Sequence, residues 1–376
     1  MDKFDRMDYI VNDILKILAG EAPISLQDSY DNAGLIVGHP EQTVRGVLVS
    51  IDVTEEVVKE AIDKGCDLIV SHHPLIFKGL KSLVPSGPVE RTLLLAIMNN
   101  IAIASAHTNL DNVAEGVNGK IAAKLRLNHL QVLVPKTGVF RKIVVYCPLS
   151  HAEQVREAMF AAGAGQIGNY DNCSFNSEGF GTFRAGKDAD PFVGSVNQLH
   201  QEPEVRIESI VPSFRLQAVV NQMLSVHPYE EVAYDLFPVE NNSKQIGSGL
   251  IGYLDKPLDE AAFLDLVQTT FGTPCLRHTA FTTKPIHKVA VCGGSGAFLL
   301  KEAVRLGADA FVTADVKYHD FFEADRRLLY IDAGHFETEQ FTKELICDII
   351  QKKIPTFAPS ISEVKTNPVQ YYFKKK

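Results

Sequence analysis

Three short segments carry the side chains from which metal sites are built. Ser71-His72-His73-Pro74 sets two imidazoles side by side, next to a proline. On a continuing strand they would point to opposite faces. Just past a strand end, a Pro-bounded turn can swing both toward one cavity. HTNLD (107–111) and HFETE (335–339) each place a carboxylate four residues after a histidine, pairing His107 with Asp111 and His335 with Glu339. Positions i and i+4 share a helix face, which leaves Glu337 on another side. Imidazole suits zinc and iron, carboxylate suits harder ions, and a mixed set fits two divalent ions of zinc, iron or manganese. Each segment alone also has a plain structural reading: polar residues at a strand–loop boundary, a histidine capping a turn, a solvated carboxylate. His107 stays open between direct ligand and supporting group. Glu339 lies far along the chain from His72, His73 and Asp111, which makes it the natural bridge and the catalytic candidate. Water held there would be acidified and could attack an electrophile.

Two further segments are candidates for substrate contact. In VAVCGGSGAFLLKEA a strand runs through Gly293, Gly294 and Gly296 into a helix, which resembles a phosphate-binding turn. The GxGxxG and GK[ST] patterns are absent, and close backbone packing is the competing reading. TADVKYHD supplies Asp315, Lys317, Tyr318 and His319 after a strand; Lys317, His319, Gly294 and Gly296 are the substrate-binding candidates. HPYEE (227–231) reads as a Pro-set turn, with an effector or subunit contact as its alternative.

The elements that must position these residues alternate between strand and helix. GVLVSID (46–52), DLIVSHH (67–73) and IAIASAH (101–107) are apolar runs, as expected of strands buried on both faces. Between them lie helices at 54–65, capped by Thr54, and at 88–100. This βαβ repetition defines an α/β fold with a mostly parallel sheet. The pattern returns: residues 47–70 and 289–312, at an offset of 242, share eight identities in 24 positions, including Lys59-Glu60-Ala61 with Lys301-Glu302-Ala303. IAIASAH then matches LYIDAGH (329–335), which sets His107 against His335. The chain therefore divides into one α/β half at 1–130, a second at 251–376, and an insertion at 131–250. The insertion's order, βα-ββ-αβ, predicts an α+β fold of ferredoxin-like type.

Composition narrows the partners. A net charge of −9 argues against nucleic acid, which needs clustered Lys and Arg. The one basic run, Lys374 to Lys376, reads as a solvated tail. Six cysteines form no CxxC pair, and buried reduced thiols are expected. The N-terminal MDKFDRMDYIVNDILKIL predicts an amphipathic helix, with Ile10, Ile14, Ile17 and Leu18 on one face, rather than a signal peptide. No run reaches the ~20 apolar residues of a membrane span. A cytoplasmic protein is expected.

SHHPLIF, HTNLD, the GGSG turn, TADVKYHD and DAGHFETE together resemble the signature series of the YbgI/YqfO family, the GTP cyclohydrolase 1 type 2 homologs or NGG-interacting-factor-three-like proteins. HPYEEVAYD is similar to the PII/CutA-like middle domain of the longer, YqfO-type members. The resemblance implies a dinuclear metal site on His72, His73, Asp111, His335 and Glu339, with His107 close by. It also implies a homohexameric toroid, a trimer of dimers, with the insertion capping its openings. A metal-dependent hydrolase acting on a small nucleotide-like or phosphorylated substrate is the function expected. The alternative is a non-catalytic metal-binding, metal-delivery or regulatory scaffold whose insertion binds an effector or partner.

Overall fold

The computed structural model describes residues 9–374. The first eight residues of the N-terminal segment, and Lys375 and Lys376 of the basic run, lie outside them. Two compact units divide the chain: residues up to Pro135 together with those from Lys244 onward, and Lys136–Ser243.

The first unit contains two sheets. One runs Ser360–Ile361, Val47–Ser50, Leu68–Ser71, Ala102–Ser105 and Gly34–Val37, parallel except for the last. The other runs Arg277–His278, Leu329–Asp332, Ala310–Ala314, Ile286–Ser295, Gly247–Leu258 and Asn128–Pro135, with its three central neighbours parallel. The last two strands include residues 131–135 and 247–250, expected from the sequence to lie in the insertion; instead Gly247–Leu258 pairs on both sides within this sheet and Asn128–Pro135 forms its edge. Thr54 accepts from the Val57 N–H and caps the helix Glu55–Asp63. The N-terminal helix spans Val11–Glu21 and buries Val11, Ile14 and Leu18.

Strand alternation gives each sheet two buried faces. Val47, Val49, Leu68, Val70, Ala102 and Ala104 join Val289, Val291, Ala310, Val312, Leu329 and Ile331 in one core, with Val117 and Ile121 of the helix Val117–Lys124 and Ile346 and Ile350 of Thr342–Lys353. The opposite faces form separate cores: Leu48, Ile69, Ile103, Val57, Val58 and Ala61 in one sheet, Ala290, Phe311, Tyr330, Leu299, Leu300 and Ala303 in the other. These sets correspond residue for residue, at an offset of 242 through the second strand.

At the third strand the sequence match slips by one. Leu68 pairs with Ala102, while Ala310 pairs with Leu329. Ala102 therefore corresponds to Leu329, and His107 to Gly334, not to His335. His107 and Gly334 are both the residue before a helix, at Thr108–Asp111 and His335–Glu339. Gly334 has φ +92, a conformation that favours glycine. His335 thus occupies the place of Thr108, one step into the helix. An apolar run marks a strand without marking which residue faces which neighbour.

The second unit is a four-stranded antiparallel sheet in the order Tyr234–Pro238, Phe140–Pro148, Leu199–Pro212, Phe175–Arg184. With helices Ala152–Ala161 and Leu216–Val226 the chain order is βαββαβ, the ferredoxin-like arrangement. One sheet face carries Ile143, Val145, Cys147, Val205, Ile207 and Val211 against Val155, Met159, Val219 and Met223 of the helices. The six cysteines are free, four of them buried. No helix among the described residues is long and apolar enough to cross a membrane.

Candidate metal centre

His72 and His73 follow the C-terminal end of Leu68–Ser71, where open α/β sheets collect ligands. Their backbone N–H groups still pair with Ser50 and Ile51, and the Ser71 hydroxyl donates to the His73 carbonyl at 2.7 Å, which fixes the turn. Each of the four histidines is held by its Nδ1. His72 donates to the Ala106 carbonyl at 2.9 Å, His73 to Asp52 at 2.7 Å, His107 to Asp31 at 2.8 Å and His335 to Asp315 at 2.8 Å. Such partners fix tautomer and ring direction and leave Nε2 as the ligating atom.

The Nε2 atoms converge. Glu339 Oε1 lies 3.6 Å from His72 Nε2, and Oε2 lies 2.9 Å from His73 Nε2 and 3.1 Å from His335 Nε2. Asp111 stands 3.7 Å from His72 Nε2. The ligand atoms of His72, His73 and His107 lie within 4.8 Å of one another, and so do those of His73, His335 and Glu339. His72 Nε2 is buried and makes no hydrogen bond, with the carboxylate oxygens of Glu339 and Asp111 3.6 and 3.7 Å away. Buried polar atoms without partners are costly, and lone pairs converging from nitrogen and carboxylate oxygen fit a divalent cation. The structure therefore brings together all six of His72, His73, His107, Asp111, His335 and Glu339, in a set that could hold metal.

The titratable groups of the cluster shift one another strongly. Burial disfavours the charged His73 imidazole, yet Asp52 and Glu339 outweigh it and hold its pKa up at about 9. The same contest, with Asp315 and Glu339, pushes His335 up to about 11. Burial and the neighbouring His72 push His107 down to about 4, against the pull of Asp31. Burial raises Asp111 to about 7, with His72 opposing and Glu339 adding. Burial also works against the Glu339 carboxylate, but His72, His335 and His73 hold it well below the ordinary range. The carboxylates draw protons onto the imidazoles where a metal ion would displace them.

A cavity of ≈410 Å³ opens beside the cluster, lined by Asp111, His335 and Glu339 and by the aromatic rings of Tyr30, Phe77 and Phe298. The substrate-contact candidates fare differently. Lys317 and His319 are exposed and line none of it, and among the described residues neither Lys nor Arg lines it. The glycine turn's N–H groups are already committed: Gly293 to Asn118, Gly294 to Thr338 and Gly296 to Thr313, each at 3.0 Å. Gly294 and Gly296 therefore pack rather than cradle phosphate. A Cβ on Gly294, at φ +58, would sit 2.2 Å from Glu339 Oε1.

Sequence reasoning missed Asp31 and Asp52 and gave Asp315 a different role. Asp52 and Asp315 sit just beyond strand ends, a signal that was available. Asp31 lies in an irregular segment, and only the fold, which brings it to His107 across 76 residues of sequence, reveals it. The Cys292 thiol beside the cavity is buried, as expected of the cysteines, and its pKa is raised by burial and by the carboxylates of Asp111 and Glu339.

A duplicated α/β unit with a His/carboxylate cluster at its strand ends is the class this fold and site define. Within that class the chain belongs to the Duf34/NIF3 (NGG1p interacting factor 3) family, whose description matches residues 9–368. It is 39% identical over 341 residues to the GTP cyclohydrolase 1 type 2 homolog of Halalkalibacterium halodurans, covering 90% of this chain and 91% of that one. The homolog of Bacillus subtilis is 37% identical over 364 residues, with 95% and 97% covered. A Bacillus cereus protein related to NIF3 superposes with a TM-score of 0.85 at 36% identity, over 97% of this chain and 99% of that one.

Proposed function

We propose that the protein is a cytoplasmic metal-dependent hydrolase of a small, nucleotide-like molecule, with two divalent ions held by His72, His73, His107, Asp111, His335 and Glu339. The observation that carries this reading is Glu339: its two oxygens face different histidines, Oε1 toward His72 and Oε2 toward His73 and His335. Bound ions would supply Lewis acidity and acidify a water molecule. The chain supplies everything else. Asp52, Asp31, Asp315 and the Ala106 carbonyl aim the imidazoles. Glu339 offers one oxygen to each of two positions and is the carboxylate the reaction depends on. Tyr30, Phe77 and Phe298 offer aromatic surface for a heterocyclic ring.

The test combines metal analysis of protein purified without chelators with a panel of nucleosides, nucleotides and free heterocycles. Two ions per chain and turnover abolished by Glu339→Gln support the reading; an unchanged rate in that variant sinks the mechanism. A non-catalytic scaffold, as a homohexameric toroid with a PII/CutA-like insertion, is the second reading. The separate cavity in the unit 136–243 favours it. Metal that binds tightly with no turnover across the panel, in a protein that sediments as a hexamer, would establish it.

A further inference from the structure

The sheet of the second unit has an open side. Both helices cover the face bearing Val205 and Ile207. The opposite face presents Glu204 and Arg206, with Gly179 and Ser177 directly across on Phe175–Arg184. A cavity of ≈660 Å³ lies here, inside the range of small-molecule sites. Gly179 and Gly181 line it within an ordinary strand, where glycine weakens the ladder and no turn requires it. A Cβ on Gly181 would lie 2.1 Å from Glu204 Oε2, so that glycine makes way for the carboxylate, while a Cβ on Gly179 would meet nothing within 4 Å and stand in open space.

The walls are aromatic and the charge is negative. The Tyr229 hydroxyl donates to Glu204 Oε1 at 2.9 Å and orients the carboxylate. The Tyr229 ring stands 6.3 Å from those of Phe183 and Phe192. The segment carrying Phe192 is tied back by the Asp190 N–H, which donates to Glu230 at 3.1 Å. Glu178, Glu204, Glu230 and Glu231 line the cavity against Arg184 and Arg206, and Arg206 is already paired with Glu208. Aromatic faces and surplus carboxylate select a flat cation.

We propose that this cavity is a ligand site for a small planar organic cation, such as an amidine, a guanidine or a protonated aromatic amine, stacked on the aromatic walls with its charge on Glu204. The site is independent of the metal cluster. Calorimetry on the full-length protein with benzamidine, its neutral isostere benzamide and the anion benzoate tests it. Benzamidine should bind about tenfold more tightly than benzamide, with benzoate weakest. Glu204→Gln, which keeps an acceptor for Tyr229, should erase that tenfold preference. Phe192→Ala, at an exposed position, should weaken benzamidine and benzamide alike. Equal binding of the three probes, no binding at millimolar concentration, preference for benzoate, or an unchanged benzamidine affinity in Glu204→Gln would each overturn the proposal.

Discussion

The two sheets of the unit that carries the His/carboxylate cluster have matching cores and differ at their strand ends. Ile69 and Phe311 occupy matching buried positions, as do Ala61 and Ala303. One step past the matched strands the likeness ends. Leu68–Ser71 is followed by His72 and His73, whereas at the same offset Ala310–Ala314 leads into Asp315, which receives the His335 Nδ1–H instead of pointing a ring inward. After the third strands, His107 and Gly334 are equivalent, and the ligand pair moves one residue along. The two halves match where side chains pack between the elements and differ where the cluster stands at the strand ends.

If the cores are equivalent, cutting either should cost similar stability. Phe311→Ala removes a ring stacked 5.5 Å from Tyr330 and should lose about 3–5 kcal/mol; Ile69→Ala should lose about 2–5 kcal/mol. Urea unfolding followed by circular dichroism checks both, and a loss near zero for either would break the equivalence. The orienting carboxylates sharpen the difference. Asp52→Asn and Asp315→Asn should each weaken metal affinity by about 10–100-fold in chelator competition. Asp52, which also accepts from Thr366 at 2.6 Å and is the less exposed, should have the larger effect.

The smallest effect concerns Asp67 and its counterpart Asp309. Both carboxylates accept backbone N–H groups, but only Asp67 also pairs with an arginine, Arg45 at 2.6 Å. Burial raises the Asp67 pKa, yet its bonds to Arg45 more than offset this and leave it lowered. A depressed carboxylate contributes stability that is complete above its unfolded pKa of ~3.9 and is lost as pH falls through the folded value. Asp67→Asn should therefore flatten the acid limb of the stability profile below about pH 4 and leave neutral pH dependence unaltered. A change in slope only above pH 5 would contradict the assignment.

Much of this was legible in the sequence because it is local. Apolar runs marked the strands, Thr54 marked a helix start, and His72, His73, His107, Asp111, His335 and Glu339 stood out by type and spacing. The insertion's element order gave its ferredoxin-like topology. What stayed hidden is what the fold brings together from afar. Asp31 reaches His107 across 76 residues and Thr366 reaches Asp52 across 314. The one-residue slip at Gly334 was hidden for a different reason: a run of buried residues looks the same when displaced by one. The GGSG turn misled because its composition matches a phosphate cradle, whereas Asn118, Thr338 and Thr313 have taken its donors.

Gly294 shows what this arrangement means for inheritance. It ligates nothing and exchanges no proton, yet a single methyl group there collides with the Glu339 carboxylate. A random base change in its codon can therefore displace the Glu339 carboxylate while all six clustered side chains stay in the sequence. The stretch of gene exposed to such damage is longer than the roster of residues that would touch an ion.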